Sequence, residues 1–370
     1  MEDRIITITT CPYSRAQLIK GRLEANGIEC FLSNINLVQP GIATGVKVKI
    51  QEKDADEAYR IIEKIKHQAG EEKQPTLKKL KRIRRILVPV DFSEHSDNAC
   101  HFALGLANKL KAEIKLIYSY FNPLVSSEPY MENNAVAFHL EHIIGDIAKE
   151  ARKQMTSLKQ RLQQEARNKQ FGQLKITSTL DKGIPENVIL QYIEKYDPGV
   201  VVMGTKGRGE SRLDYIGSVT KAVIKKSNVP VLAIPEKSIF SGFDYINRVS
   251  TNFDDNDFNS LRKLMTLVRP FEMKIFCIHI TEGEEEPMDQ VKMNSLKEYF
   301  QEEYPDFEIY CHMIRHEDVV EGLQDYIEKQ EIDLLALTTH KRGMIERLFN
   351  PGITRKMLFH THIPLLVFHS

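Results

Sequence analysis

Short apolar runs alternate with amphipathic helical segments through most of this sequence, and no other feature constrains its fold as strongly. Ile86–Val90, Gly199–Met203 and Val229–Ile234 are runs of this kind, and Asp97–Lys111 is one of the predicted helices. A nearly continuous apolar run is typical of a parallel strand that is buried on both faces. Strands that alternate with helices form right-handed βαβ units. The sequence therefore predicts a doubly wound parallel α/β sheet.

The same order of strands and helices occurs twice along the chain. VPVLAI at Val229–Ile234 resembles IPLLVF at Ile363–Phe368, and GTKGRG at Gly204–Gly209 corresponds to TTHKRG at Thr338–Gly343. A single duplication of this length indicates a tandem pair of domains rather than a solenoid. We expect two tandem doubly wound parallel sheets of five strands each, in the strand order 3-2-1-4-5. They would span residues 81–237 and 244–370.

A smaller unit precedes the first copy. Residues 1–66 have the pattern β-α-β-β-α, with clear alternation at Val46, Val48 and Ile50. Residues 67–80 begin with a polar stretch that contains Gly70 and Pro75 and has no apolar periodicity, as expected for a linker. The sequence predicts a small N-terminal α+β domain, for which we expect a regulatory or interaction role.

Three glycines mark a candidate phosphate site in the first copy. Gly204, Gly207 and Gly217 form the pattern G-x2-G-x9-G, directly followed by Ser218, between a buried strand and a helix. Glycines let backbone N–H groups approach a ligand closely, and a helix N-terminus offers unpaired donors and partial positive charge. Positive charge can come from Lys206 and Arg208, and further hydrogen-bond donors from the hydroxyls of Ser218 and Thr220. Asp91, after strand one, can accept hydrogen bonds from a ribose or base. A glycine-rich turn without a ligand is the alternative.

Other function classes lack their sequence signals. There is no G-x-x-x-x-G-K-[ST] motif and no G-x-G-x-x-G after strand one, which disfavours P-loop NTPases and dinucleotide dehydrogenases. The 51 Lys and Arg residues balance the 51 Asp and Glu residues, so no basic excess indicates a nucleic-acid partner. No apolar run reaches the roughly 20 residues that span a bilayer, and no signal-peptide core follows Met1. We expect no membrane partner and a cytoplasmic location.

Several motifs of the first copy resemble the ATP-binding branch of the universal stress protein family. They are ILVPVDFSEHSDNA, MGTKGRG, IGSVT and VPVLAIP, spread in order over about Ile83–Pro235. The resemblance implies bound ATP or AMP, a divalent ion such as Mg²⁺ on the phosphates, dimers through the last strand and a role in stress regulation. The predicted nucleotide-binding residues are Pro89, Val90, Asp91, Ser119 after strand two, Met203, Gly204, Lys206, Gly207, Arg208, Gly217, Ser218, Val219 and Thr220.

The second copy departs from the motif of the first. Thr338 and Lys341 stand in place of the first two glycines, and Pro351 replaces the last one and removes an N–H donor. We expect this copy to bind no ATP and to act structurally, its last strand pairing with Val229–Ile234 inside the same chain. Such pairing would also cover two exposed sheet edges.

The N-terminal unit and the cysteines give weaker signals. Cys11, between a strand and a helix, resembles the cysteine of a monothiol glutaredoxin, but no matching cis-proline loop follows, so a buried or incidental cysteine is favoured. Residues 1–66 resemble a small bacterial domain regarded as a signal-transducing module. The chain has five widely spaced cysteines, which we expect to be free thiols. No nucleophile with an identifiable base and no metal-ligand spacing is present, and the histidines His312 and His316 are expected to be neutral.

Three functional hypotheses follow. The first is an ATP- or AMP-binding regulator in which nucleotide binding at the first copy changes packing elsewhere in the chain. The second is a slow ATPase or phosphotransferase that uses the same pocket, for which Glu210 and Asp214 are the acidic residues of the loop. The third is a scaffold that binds no nucleotide. Further homodimers and an unknown protein partner are compatible with all three.

Overall fold

The computed structural model describes residues 5–11, 13–33, 46–55, 57–62, 84–120, 134–207, 216–235, 248–252, 264–271, 273–281, 297, 301, 304–338 and 363–368. The chain forms two compact units. The first consists of Met1–Leu80, Arg248–Val268 and Glu272–Glu331, and the second of Lys81–Asn247, Arg269–Phe271 and Ile332–Ser370.

A three-stranded antiparallel sheet lies at the N-terminal end of the first unit, in the order β1-β3-β2. Its strands are β1 (Ile5–Cys11), β2 (Cys30–Ser33) and β3 (Val46–Gln51), and helix α1 (Tyr13–Glu24) connects β1 to β2. Ala16, Ile19 and Leu23 are spaced three to four residues apart and are buried, so α1 covers the sheet with its apolar face. Residues 57–62 are helical. The predicted β-α-β-β-α order is confirmed.

The second unit contains a largely parallel sheet in the order β12 (Leu334–Thr338), β13 (Leu365–Phe368), β8, β7, β4, β5 and β6. The strands of the first copy are β4 (Arg85–Pro89), β5 (Glu113–Tyr120), β6 (Ile176–Lys182), β7 (Val200–Gly204) and β8 (Val231–Ile234). Within this copy the order is third, second, first, fourth, fifth, as expected from the sequence. The sheet interior consists of the apolar runs, because every residue of β7 and of β8 is buried.

Among the described residues of the first copy, the helices that connect these strands are α2 (Glu94–Leu110), α3 (Asn134–Asn168), α4 (Pro185–Tyr196) and α5 (Ser218–Lys226). The expected bounds of α5 are confirmed. Helix α2 begins three residues before the predicted Asp97, because Ser93 caps it and accepts a hydrogen bond from the Ser96 amide. Helix α3 buries one stripe of apolar side chains that includes Met155 and Leu162.

The second copy contributes β9 (Arg248–Asn252), β10 (Lys274–Thr281) and β11 (Glu308–Arg315) to the first unit, and these strands pair in parallel with β10 in the middle. Asp318 caps helix α6 (Val319–Lys329), and its carboxylate accepts hydrogen bonds from two backbone amides of the first turn. Strands β12 (Leu334–Thr338) and β13 (Leu365–Phe368) lie in the second unit.

Strand β13 pairs antiparallel with β8. In this register Leu366 lies opposite Leu232, and Val367 lies opposite Val231. The pairing confirms the expected contact between the last strands of the two copies within one chain. Neither strand is an open edge, because β8 is also paired with β7 and β13 with β12.

Candidate functional site

The carboxyl ends of β4 and β7 lie side by side at the point where the strand order reverses. These two strands are paired, while β5 adjoins the other side of β4 and β8 adjoins the other side of β7. In an open α/β sheet the crevice at such a point is where ligands bind. Asp91 follows β4 and the segment Thr205–Gly207 follows β7, so both lie at this crevice.

Asp91 and Gly207 approach each other closely across the crevice. A Cβ atom added to Gly207 would lie 2.9 Å from the Asp91 Oδ2 atom, closer than real Cβ contacts. A side chain at position 207 would therefore displace the carboxylate. The close contact with Asp91 explains why position 207 is a glycine, without any need for a positive φ.

The other oxygen of Asp91 is held by Ser93. Both the backbone amide and the hydroxyl of Ser93 donate to Asp91 Oδ1, over 3.1 Å and 2.5 Å. Phe92, between them, has a φ of 61°, an uncommon conformation for a bulky residue, and its ring lies 4.8 Å from that of Tyr118. The turn thus fixes the direction of the carboxylate at the start of α2. Ser93 is not among the predicted site residues, although a serine directly before a helix is a signal for such a cap.

Packing requires a glycine at position 204. A Cβ atom at this position would lie 2.7 Å from the Cβ and 2.8 Å from the carbonyl carbon of His95 in α2. The end of β7 therefore touches the backbone of a helix that is far away in sequence. This contact has no local signal in the sequence, and the role of Gly204 in nucleotide binding stays a prediction.

Thr220 also has a structural partner. Its side chain is buried, and its hydroxyl donates to the Gly204 carbonyl oxygen over 2.8 Å. This hydroxyl is a predicted phosphate donor, but in the structure it connects α5 to the end of β7. The place of Thr220 in a nucleotide site stays a prediction.

Helix α5 begins directly after a glycine N-cap. Gly217 is the N-cap in an extended conformation, and no side chain caps the helix. The Gly217 amide donates to the Thr205 carbonyl over 2.7 Å, which fixes the start of the helix beside the loop after β7. The following residues, Ser218, Val219 and Thr220, form the first turn of α5, where the backbone N–H groups point toward the N-terminal end of the helix. Ser218 is exposed, so a ligand can reach this turn from solvent.

Ser119 lies one strand further along the sheet. It was expected after strand two, but β5 continues to Tyr120 and includes it. Its hydroxyl donates to the Gly183 carbonyl over 2.6 Å, which connects the ends of β5 and β6. The oxygen keeps acceptor capacity, since a hydroxyl has two lone pairs.

The other predicted site residues differ in access. Pro89, Val90 and Met203 are buried, and the Val90 amide donates to the Ile117 carbonyl over 2.9 Å. Lys206 is half-buried on the loop after β7. Arg208 lies outside the described residues, as do Glu210, Asp214, Lys341 and Pro351, so their roles stay predictions. The structure brings Asp91, Gly204, Lys206, Gly207 and the start of α5 to one crevice.

Two secondary candidates behave as ordinary side chains. Burial raises the pKa of the half-buried Cys11 thiol, the opposite of the shift that activates a glutaredoxin cysteine. His312 hydrogen-bonds Tyr326 over 2.6 Å, and burial lowers its pKa, as expected for a neutral histidine. In the described part of the chain, no three His, Cys, Asp or Glu side chains group as a metal site requires. None of the described helices has the length and apolar character needed to cross a membrane.

Similar proteins share this architecture. A universal stress protein from Archaeoglobus fulgidus superposes with a TM-score of 0.57 at 18% identity, over 78% of this chain and 97% of that chain. The chain is also 28% identical over 151 residues to universal stress protein MJ0531 of Methanocaldococcus jannaschii, a match that covers 41% of this chain and 81% of that protein. Universal stress protein MJ0577 of the same organism is 28% identical over 163 residues, covering 42% of this chain and 96% of that protein.

A family profile covers both copies. The profile of the universal stress protein family matches residues 82–235 and again residues 259–369. These two matches span most of the chain and correspond to the two α/β copies that the duplication predicts. The chain therefore belongs to the universal stress protein family and contains two tandem copies of its domain.

Proposed function

We propose that the first copy binds an adenine nucleotide, ATP or AMP, and that the chain is a nucleotide-responsive regulatory protein. The observation that carries this proposal is the start of α5, where the exposed Ser218 begins a helix without a side-chain cap beside the loop after β7. A helix N-terminus of this kind is suited to phosphate groups. The strand-order reversal at the same crevice supports the assignment.

The two ends of the nucleotide would meet different groups. The phosphates would accept hydrogen bonds from the Ser218, Val219 and Thr220 amides, with the Lys206 ammonium adding positive charge. Asp91, whose direction Ser93 fixes, would accept hydrogen bonds from the ribose or the base edge. Ser119 would flank the base from β5. The family resemblance of the motifs around these residues supports the choice of an adenine nucleotide.

The donor set does not favour a metal site built by protein ligands. Backbone amides, a hydroxyl and an ammonium are donors for anions, whereas Mg²⁺ requires oxygen ligands. Among the described residues no cluster of acidic side chains supplies them. We therefore propose that a Mg²⁺ ion would enter with the nucleotide, on its phosphate oxygens and water.

Regulation and hydrolysis are separable alternatives for this pocket. Hydrolysis needs a group that orients water near the terminal phosphate. Glu210 and Asp214 were the acidic candidates of the loop. Phosphate release in a single turnover, with and without Mg²⁺, distinguishes a slow ATPase from a regulator: release of one phosphate for each bound ATP supports the enzyme, and intact ATP supports the regulator.

Position 218 offers a sharp test of binding. Ser218 is the first residue of α5, where proline is well tolerated, and Gly217 has φ −69° and ψ 161°, a conformation that suits a residue before proline. Ser218→Pro thus removes one amide donor while preserving the helix. Ser218→Ala is the matched control, because it removes the hydroxyl and keeps the amide.

Calorimetric titration with ATP and AMP compares the two variants. A hydrogen bond to a charged group contributes about 1.5–3 kcal/mol, so Ser218→Pro should weaken binding by about 10-fold to 100-fold relative to Ser218→Ala. Equal affinities of the two variants would remove the phosphate assignment at α5. Absence of binding to the wild-type chain would support the scaffold hypothesis instead.

A further inference from the structure

Two cysteines of the second copy are direct neighbours on adjacent strands. Cys277 in β10 is the register partner of Cys311 in β11, and these strands run parallel. Side chains at partner positions of a sheet project to the same face. Cys277 is fully buried and Cys311 is half-buried, so the pair lies at the boundary of the core and has one accessible member.

The backbone spacing is compatible with a disulfide. Neighbouring strands lie about 4.8 Å apart, inside the roughly 4.4–6.8 Å range of Cα separations found across disulfides. Cβ atoms at partner positions are separated by a similar distance, which exceeds the mean of about 3.8 Å in disulfides. Closure therefore needs only a local adjustment of β10 and β11, and the strain of that adjustment makes the bond easier to reduce.

The two thiols have different environments, which gives them different roles. The neighbouring Cys277 and the charge of Lys297 hold the pKa of Cys311 below its usual range. Cys311 and burial raise the pKa of Cys277. The accessible cysteine thus has the greater thiolate character, and its protonated neighbour is in position to react with it.

The other described cysteines lack such an arrangement. Burial raises the pKa of Cys11, Cys30 and Cys100, and it brings that of Cys30 to about 11. Cys30 and Cys100 are also buried from solvent. Of the chain's five cysteines, Cys311 is therefore the one whose surroundings favour oxidation.

We propose that Cys277 and Cys311 form a reversible oxidation site, a dithiol that hydroperoxides convert to an intrachain disulfide. This modification would connect β10 covalently to β11 in the copy that lacks the glycine motif. It rests on strand register, burial and the neighbouring charge, and it is independent of nucleotide binding at the first copy.

The chemistry proceeds in two balanced steps. The Cys311 thiolate attacks one oxygen of hydrogen peroxide, the O–O bond breaks, and the products are a Cys311 sulfenic acid and hydroxide, which takes a proton to become water. The Cys277 sulfur then attacks the Cys311 sulfur, the S–O bond breaks, and the departing hydroxide leaves as water with the Cys277 proton. Two thiols and one peroxide give one disulfide and two water molecules.

Peptide mapping of the full-length wild-type chain tests the proposal. The protein is treated with hydrogen peroxide, remaining thiols are blocked with iodoacetamide, and the digest is analysed by mass spectrometry. The expected product is a linked pair of peptides, lighter by two hydrogen atoms than the sum of the reduced peptides, which a dithiol reductant separates again. Recovery of both peptides in alkylated form, or of Cys311 as sulfinic acid without a link to Cys277, would overturn the proposal.

Variants assign the roles of the two thiols. Cys277→Ser should leave the Cys311 sulfenic acid without its resolving thiol, so that a dimedone adduct accumulates on Cys311 at least several-fold above wild type. Cys11→Ser is the matched control, since it removes another half-buried cysteine, and it should form the same linked peptides as wild type. If Cys277→Ser formed a disulfide between other cysteines at the wild-type yield, the assignment to Cys277 and Cys311 would be contradicted. The wild-type mapping decides the proposal even where a variant fails to fold.

Discussion

Asp91 and Gly207 lie so close together that a single added carbon at position 207 would reach within 2.9 Å of the Asp91 carboxylate. The loop after β7 therefore lies directly against the end of β4, with its backbone next to an acidic side chain that Ser93 orients. This relationship connects the glycine motif to Asp91 as parts of one crevice. Gly204 differs from Gly207 in this respect, because an added Cβ at Gly204 would meet His95 of α2, including its backbone.

Replacing Gly207 should affect binding more than stability. In Gly207→Ala the new methyl group must displace the Asp91 carboxylate, the end of a side chain that can rotate. We expect ATP affinity measured by calorimetry to fall about 10-fold, the loss that corresponds to one hydrogen bond to a charged group. Gly172→Ala is the control, because nothing lies within 4 Å of its added Cβ. Identical affinities of the two variants would contradict the role of Asp91 in binding.

Replacing Gly204 should affect stability. The Cβ atom in Gly204→Ala would lie 2.8 Å from the His95 carbonyl carbon, which cannot rotate away. Forcing extra volume into such a contact costs about 1–3 kcal/mol, which urea unfolding can measure. Gly145→Ala, in α3 with open space around the new Cβ, should instead stabilise the chain by about 0.5–1 kcal/mol. Equal unfolding midpoints for these two variants would show that the contact between β7 and α2 is not tight.

A charged network around His101 should make stability depend on pH. His101 contacts Asp97 at 3.5 Å and Glu165 at 2.8 Å, and these two carboxylates raise its pKa from 6.5 to about 9. A pKa that is higher in the folded state stabilises the fold fully below pH 6.5, and this contribution is lost as the pH rises through about 9. Hydrogen bonding to His101 also lowers the pKa of Asp97, so the carboxylate's contribution is lost at acidic pH.

Urea unfolding between pH 5 and 10 checks this expectation. The wild type should exceed His101→Gln in stability near pH 6, and the difference should shrink as the pH approaches 10. The control is His142→Gln, which removes an exposed histidine 3.8 Å from Asp146 and should change stability little, because exposed ion pairs contribute little. A difference between wild type and His101→Gln that grows with pH would have the wrong sign for this network.

Pairing of β8 with β13 should appear as energetic coupling between Leu232 and Leu366. Both side chains are fully buried and lie opposite each other in the antiparallel register. Each single Leu→Ala change should cost about 2–5 kcal/mol of unfolding free energy. The double variant should cost less than the sum by about 0.5–1 kcal/mol, since contacting residues are not additive. Strict additivity would indicate that the two strands do not share a packed interface in solution.

Local patterns in the sequence account for much of the fold. The predicted helix Ser218–Lys226 matches α5, because Gly217 marks its start and Ser227 ends its periodic pattern. The order of the five strands of the first copy, β4 to β8, follows from apolar runs that alternate with helices. The start of α2 was placed three residues late, because the Ser93 cap was overlooked.

Contacts between distant residues could not be predicted in this way. Gly204 and Thr220 are predicted from the sequence only as ligand-binding residues, and their contacts inside the fold, with His95 and between the Thr220 hydroxyl and the Gly204 carbonyl, have no local signal. The neighbouring positions of Cys277 and Cys311 depend on the register of two strands separated by more than twenty residues. No periodicity within either strand contains that information.

Nucleotide binding at α5 can be measured by titrating the nucleotide-free wild-type chain and Ser218→Pro with ATP in parallel. We expect one ATP bound per chain, because only the first copy keeps the glycine motif, and binding at least about 10-fold weaker in Ser218→Pro. Wild-type protein that releases no binding heat at any ATP concentration, or a proline variant that binds as tightly as the wild type, would show that α5 binds no phosphate.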